Sequence, residues 1–163
     1  MTPATADQDP RGPSLIYMVG RLNQGIGREL RALLRTWDLS VQEYTSLSVL
    51  DLRPGLSNAQ LARRALVSPQ SMIEILAKLE SRGLVQRSVD PEHGRVIRNH
   101  LSDSGRNVLA VAGPAVQALQ DQIFAELSAA QRASVAAALT VVMDGLSTKG
   151  ATGSRAPSGP KPS

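Results

Sequence analysis

Between two short runs of helical apolar period lies Val67-Ser68-Pro69, and this junction constrains the fold more than any other part of the chain. Ser68 offers a hydroxyl to the free N–H groups of a helix start. Pro69 fits the first helical position, because the N–H it lacks has no partner there. The junction therefore ends one helix and starts another almost at once. Upstream, Ser57 caps a helix over Asn58–Leu66; downstream, a helix over Gln70–Arg82 stops at Gly83, a left-handed C-cap. Two strand-like runs follow, Leu84–Ser88 and Arg95–Leu101, with Asp90-Pro-Glu-His-Gly94 between them. Two short helices, a hairpin and a cationic tip predict a compact reader with one helix free to enter a DNA groove.

The segment LSNAQLARRALVSPQSMIEILAKLESRGLVQRSVDPEHGRVIRNHLSDSG resembles the winged helix of the MarR (multiple antibiotic resistance regulator) family of bacterial transcription factors. Flanking helices fit as well, so the resemblance covers Ser14 to Leu146. It implies a homodimer whose terminal helices intertwine, a palindromic operator, and an effector pocket between the dimer helices and the winged helix. Aromatic anions such as phenolic acids are the ligand class it implies. Members usually carry Asp-x-Arg at the wing tip, with the arginine entering the minor groove. Arg95 matches that arginine, whereas His93 stands where the aspartate would be, so the orienting ion pair is lost in its usual form. Glu92 and Asp90 are the substitutes at hand. Some relatives sense peroxides through a cysteine; this chain has none, which also excludes disulfides and thiolate metal sites.

At 163 residues the chain is long enough for one domain with a real core. Its few aromatics (Tyr17, Trp37, Tyr44, Phe124) among many alanines and leucines favour helices over a β-sandwich. The net charge is +4, but Lys149, Arg155 and Lys161 lie beyond Leu146, so a DNA-facing positive patch must come from arrangement. No apolar run is long enough to span a bilayer and no signal peptide opens the chain; the expectation is a cytoplasmic protein without membrane contact.

Along the chain, 1–13 reads as a flexible arm. Leu15, Ile16, Val19, Leu22, Ile26, Leu30, Leu33, Leu34 and Trp37 recur at helical steps and predict one long helix. Gly25-Ile-Gly27 is no phosphate loop, because no strand precedes it. Ser40 with Glu43 forms a capping box for a second helix, which Arg53-Pro-Gly55 ends. Ser102 caps a helix towards Leu127 that Gly113-Pro114 should kink or split, and Ser128 caps a last one. From Ser147 the composition predicts a disordered tail, 147–163. The terminal helices carry more apolar surface than one winged helix covers. Leu15, Ile16, Val19, Leu22, Ile123, Phe124, Leu139, Val142 and Leu146 are therefore the candidate dimerisation residues. The expected architecture is mostly α with a small β-hairpin wing: a winged helix-turn-helix over 40–101 between dimerisation helices at 14–37 and 103–146.

Within the reader, Met72, Ile75, Leu76 and Leu79 sit at core spacing and place Gln70, Ser71, Glu74, Ala77 and Lys78 on the outer face. A glutamine amide pairs in a bidentate way with adenine N6 and N7, which makes Gln70 the sharpest base-reading candidate; the plainer reading is a solvated first-turn residue. Ser68, Pro69 and Ser71 stand at the helix N-terminus, where phosphate is favoured, and Lys78 is a candidate phosphate contact. Relatives often have a cation where Glu74 stands. The simpler reading pairs Glu74 with Lys78 across one turn, and the alternative has it accept from cytosine N4. Arg53, Arg63, Arg64, Arg87, His93 and Arg95 complete the candidate DNA surface. For the effector implied by the resemblance, Trp37 and Tyr44 are the candidate aromatic lining, against plain core packing, with Arg21 or Arg28 to neutralise a carboxylate. The two histidines lack an acidic cluster at ligand spacing, so no metal is expected, and no nucleophile motif supports an enzyme or a cofactor. The reading is a sequence-specific DNA-binding regulator, a ligand-responsive homodimeric repressor. Its rival is a winged helix that docks a protein partner without specific DNA binding.

Overall fold

The computed structural model describes residues 14–90, 94 and 96–152. The expected arm at 1–13, His93 and Arg95 lie outside the described residues. The chain falls into two compact units divided between Gln120 and Asp121. The first opens with α1 (Leu15–Leu34), a 3-10 turn (Arg35–Trp37) and α2 (Val41–Leu52). Then come α3 (Asn58–Ala65), α4 (Pro69–Ser81), β1 (Val85–Val89), β2 (Ile97–Leu101) and α5 (Asp103–Ile123). The second unit holds the end of α5 and α6 (Ala129–Thr152).

Polar caps set the helix starts, as their sequence spacing predicts. Ser40 Oγ accepts from the Glu43 N–H and Glu43 Oε2 accepts from the Ser40 N–H, at 3.1 and 2.7 Å. Ser57 and Gln60 repeat this reciprocal pair at α3, and Ser128 and Gln131 repeat it at α6. Each box satisfies N–H groups that the first helical turn leaves without partners.

The predicted first helix tightens into its 3-10 turn before Trp37, and Asp38 turns left-handed (φ 53°) to release the chain into α2. Gly113-Pro114 neither ends nor splits α5, which runs unbroken from Asp103 to Ile123. Proline removes one N–H, and its would-be acceptor Ala110 is an exposed residue, so the missing bond falls on the open side of the helix. The helix does stop at Ile123, short of the expected Leu127. At the other end α6 continues to Thr152, past the Ser147 boundary that composition suggested.

The core lies within the first unit, where Leu34, Leu47, Leu50, Leu61, Met72, Leu76 and Leu79 are almost wholly buried. It joins α1, α2, α3 and α4 to the hairpin through Leu84, Val85 and Leu101. The hairpin pairs antiparallel in the register Val85↔Leu101 to Val89↔Ile97. Leu56 adds a single bridge to Asn99, whose buried side-chain amide donates to the Leu56 carbonyl and to Asn58 Oδ1, both at 2.9 Å. The wing is thereby stitched to the start of α3.

Candidate nucleic-acid interface

Helix α4 is held by its buried side and presents the other. Ser68 Oγ accepts from the Ser71 N–H at 3.0 Å and lies 2.8 Å from Ser71 Oγ, so both serine hydroxyls are committed to the cap in the free protein. Ser68, Pro69, Gln70, Ser71, Ile73, Glu74, Ala77 and Lys78 are exposed. The structure thus brings the predicted first-turn residues together on one open face.

Two expected roles on that face change. Lys78 does not pair with Glu74: its ammonium lies 2.9 Å from Glu43 Oε1, on α2. The Glu43 side chain is only 2% exposed, and a carboxylate so placed is costly without a charged partner, which outweighs a solvated helix-surface pair. Glu74 instead accepts from Gln70 Nε2 at 3.3 Å, so the amide of the candidate base reader is pre-oriented by a neighbour one turn on. Burial alone would push the Glu43 carboxyl up, but the Ser40 N–H, the Lys78 ammonium and the Ser40 hydroxyl together hold it below the ordinary carboxylate range.

Ile73, which is not among the residues that the sequence points to, is 51% exposed. Its position three residues after Gln70 and four before Ala77 was the available signal, since these spacings share one helix face. There it is an apolar group suited to a thymine methyl.

Around α4 the cations divide. Arg53, Arg63 and Arg64 are exposed, and among the described residues no carboxylate engages them. Arg87 on β1 is drawn to Glu80 of α4 at 3.3 Å, which ties the wing to the reader helix. At the base of the wing, Arg98 bonds Asp90 through Nε at 2.7 Å and Nη2 at 2.5 Å, and reaches the Gly55 carbonyl.

Each candidate effector residue has its own local partners. Trp37 and Tyr44 are half-buried and pack on the core cluster. Arg21 lies over the Tyr17 ring, 5.9 Å from its centroid, and Arg28 pairs with Glu29 on exposed α1 surface.

Two helices joined by a capped turn, the second exposed along one polar face and backed by a hairpin, define a winged helix-turn-helix DNA-binding protein. The family model described as MarR family matches residues 37–96. The HTH-type transcriptional repressor Rv2887 of Mycobacterium tuberculosis is 37% identical over 127 residues, spanning 78% of this chain and 88% of that protein. Among solved structures, the complex of Rv2887 with p-aminosalicylic acid matches with a TM-score of 0.65 at 32% identity, covering 80% of this chain and 98% of that one. The transcriptional repressor CouR bound to a 23-mer DNA duplex shares the fold, with a TM-score of 0.76 at 22% identity over 86% of this chain and 99% of its own. The chain belongs to the MarR family, and it is a DNA-binding transcriptional regulator. No described helix is long and apolar enough to cross a membrane.

Proposed function

We propose that this regulator acts in the cytoplasm as a homodimeric, ligand-responsive repressor without enzymatic activity, reading a palindromic operator with the first turn of α4. The observation that carries the reading is that capped, outward-facing turn, where Gln70 offers an amide and Ile73 an apolar contact; the exposed cations Arg63 and Arg64 stand in the last turn of the preceding helix. Arg53, and Arg95 at the wing tip, add contacts to the DNA backbone or minor groove. Exposed Leu15, Ile16, Val19 and Leu22 on α1, with Leu139, Val142 and Leu146 on α6, supply the apolar surface for a dimer. An aromatic acid is the effector class, supported by the salicylic acid and p-aminosalicylic acid complexes of Rv2887.

The test is enrichment of a duplex from a random-sequence pool, followed by fluorescence anisotropy over a salt series. The reading expects one palindromic sequence to emerge, and Gln70→Ala to weaken its binding by about 1–3 kcal/mol. Binding that is equal for selected and scrambled duplexes overturns it. That result favours partner docking on the same face, where Ile73 and Glu74 are the groups a protein surface would meet.

A further inference from the structure

The outer end of α4 is tied to the corner between α1 and α2. Lys78 reaches the buried Glu43 carboxylate, whose other oxygen accepts from the Ser40 N–H. One turn further on, Arg82 Nη1 and Nη2 donate to the carbonyls of Asp38 and Trp37 at 2.6 and 3.1 Å. Two cations four residues apart, Lys78 in the last turn of α4 and Arg82 just past its end, thus grip one short segment, residues 37–43. Gln70 lies eight residues before Lys78, about 12 Å along the helix axis, so the grip is well removed from the turn that faces DNA. Moving the ammonium towards a phosphate would strip a buried carboxylate of its charged partner.

We infer that Lys78 and Arg82 are positioning residues, which fix the angle of α4 against the α1–α2 corner, and that Lys78 serves DNA binding through this grip on Glu43 without touching a phosphate. The inference rests on the DNA-reading role of α4 proposed above.

The duplex enriched by the wild-type protein is titrated with Lys78→Met, Glu43→Gln, the double variant and Lys78→Arg over a salt series. Hydrogen exchange of the free proteins is followed in parallel. Each single variant weakens binding by about tenfold, within the usual coupling of contacting side chains, and the double variant is no weaker than either single. The slope of log affinity against log salt stays at the wild-type value, and Lys78→Arg restores binding. In the free protein the amides of α4 exchange faster in both single variants, while those of α3 do not. Two results overturn the inference. One is a slope reduced by about 0.9 in Lys78→Met with Glu43→Gln binding normally, the mark of one lost phosphate contact. The other is wild-type exchange across α4 in both single variants. If the wild type enriches no duplex, the DNA reading fails, and exchange in the free protein still decides whether the grip exists.

Discussion

Gly105 lies against the chain that enters the wing, where a Cβ would collide with the Leu84 carbonyl oxygen. Ser102 locks the same joint: its hydroxyl donates to the Gly83 carbonyl at 2.6 Å and accepts from the Gly105 N–H at 3.0 Å. Gly105→Ala is expected to lower stability by about 3 kcal/mol through forced repacking, read as an earlier urea midpoint. Leu66 presents the opposite case. It ends α3 in the left-handed region (φ 56°) with 82% of its surface exposed, so it bears the conformational cost without a packing return. Leu66→Asn is expected to raise stability by about 1 kcal/mol in the same assay, since asparagine tolerates this conformation. Neither effect was legible in sequence. Leu66 read as the last helical residue, and what approaches Gly105 is set by a backbone far away along the chain.

Helix starts were the most legible elements, because a capping box is written within four residues: Ser40 with Glu43 foretold the first turn of α2, and Ser68-Pro69 that of α4. The partner of Lys78 was not legible. Local spacing offered Glu74, and only the fold brings Glu43 within reach. That contact has a pH signature. The Glu43 carboxyl titrates lower in the folded protein than its usual value of 4.5, so the ionised form favours the native state. Its contribution is complete above the unfolded-state value and is lost as pH falls through the lower, folded-state one. Acid titration of stability should therefore be flatter in Glu43→Gln than in the wild type below about pH 5. Parallel curves for the two proteins would mean that Glu43 adds nothing to this dependence.

For the molecule as a whole, one chain leaves much apolar surface on α1 and α6 open to water, including Ile16 at 86% and Val142 at 58% exposed. The apolar period of α1 made this visible in sequence, whereas which residues meet across a dimer depends on two chains and has no local signal. Leu139→Asp combined with Val142→Asp is expected to yield monomers in sedimentation equilibrium. Operator affinity should fall about a hundredfold or more as bivalent binding is lost. The grip of Arg82 on the Trp37 carbonyl has a practical corollary, because Trp37 is the only tryptophan in the chain. Its half-buried indole is a built-in optical gauge placed where the reader helix is anchored. Without any added dye, ultraviolet emission from this one ring can be followed while DNA is titrated in, and a change reports on the surroundings of Trp37.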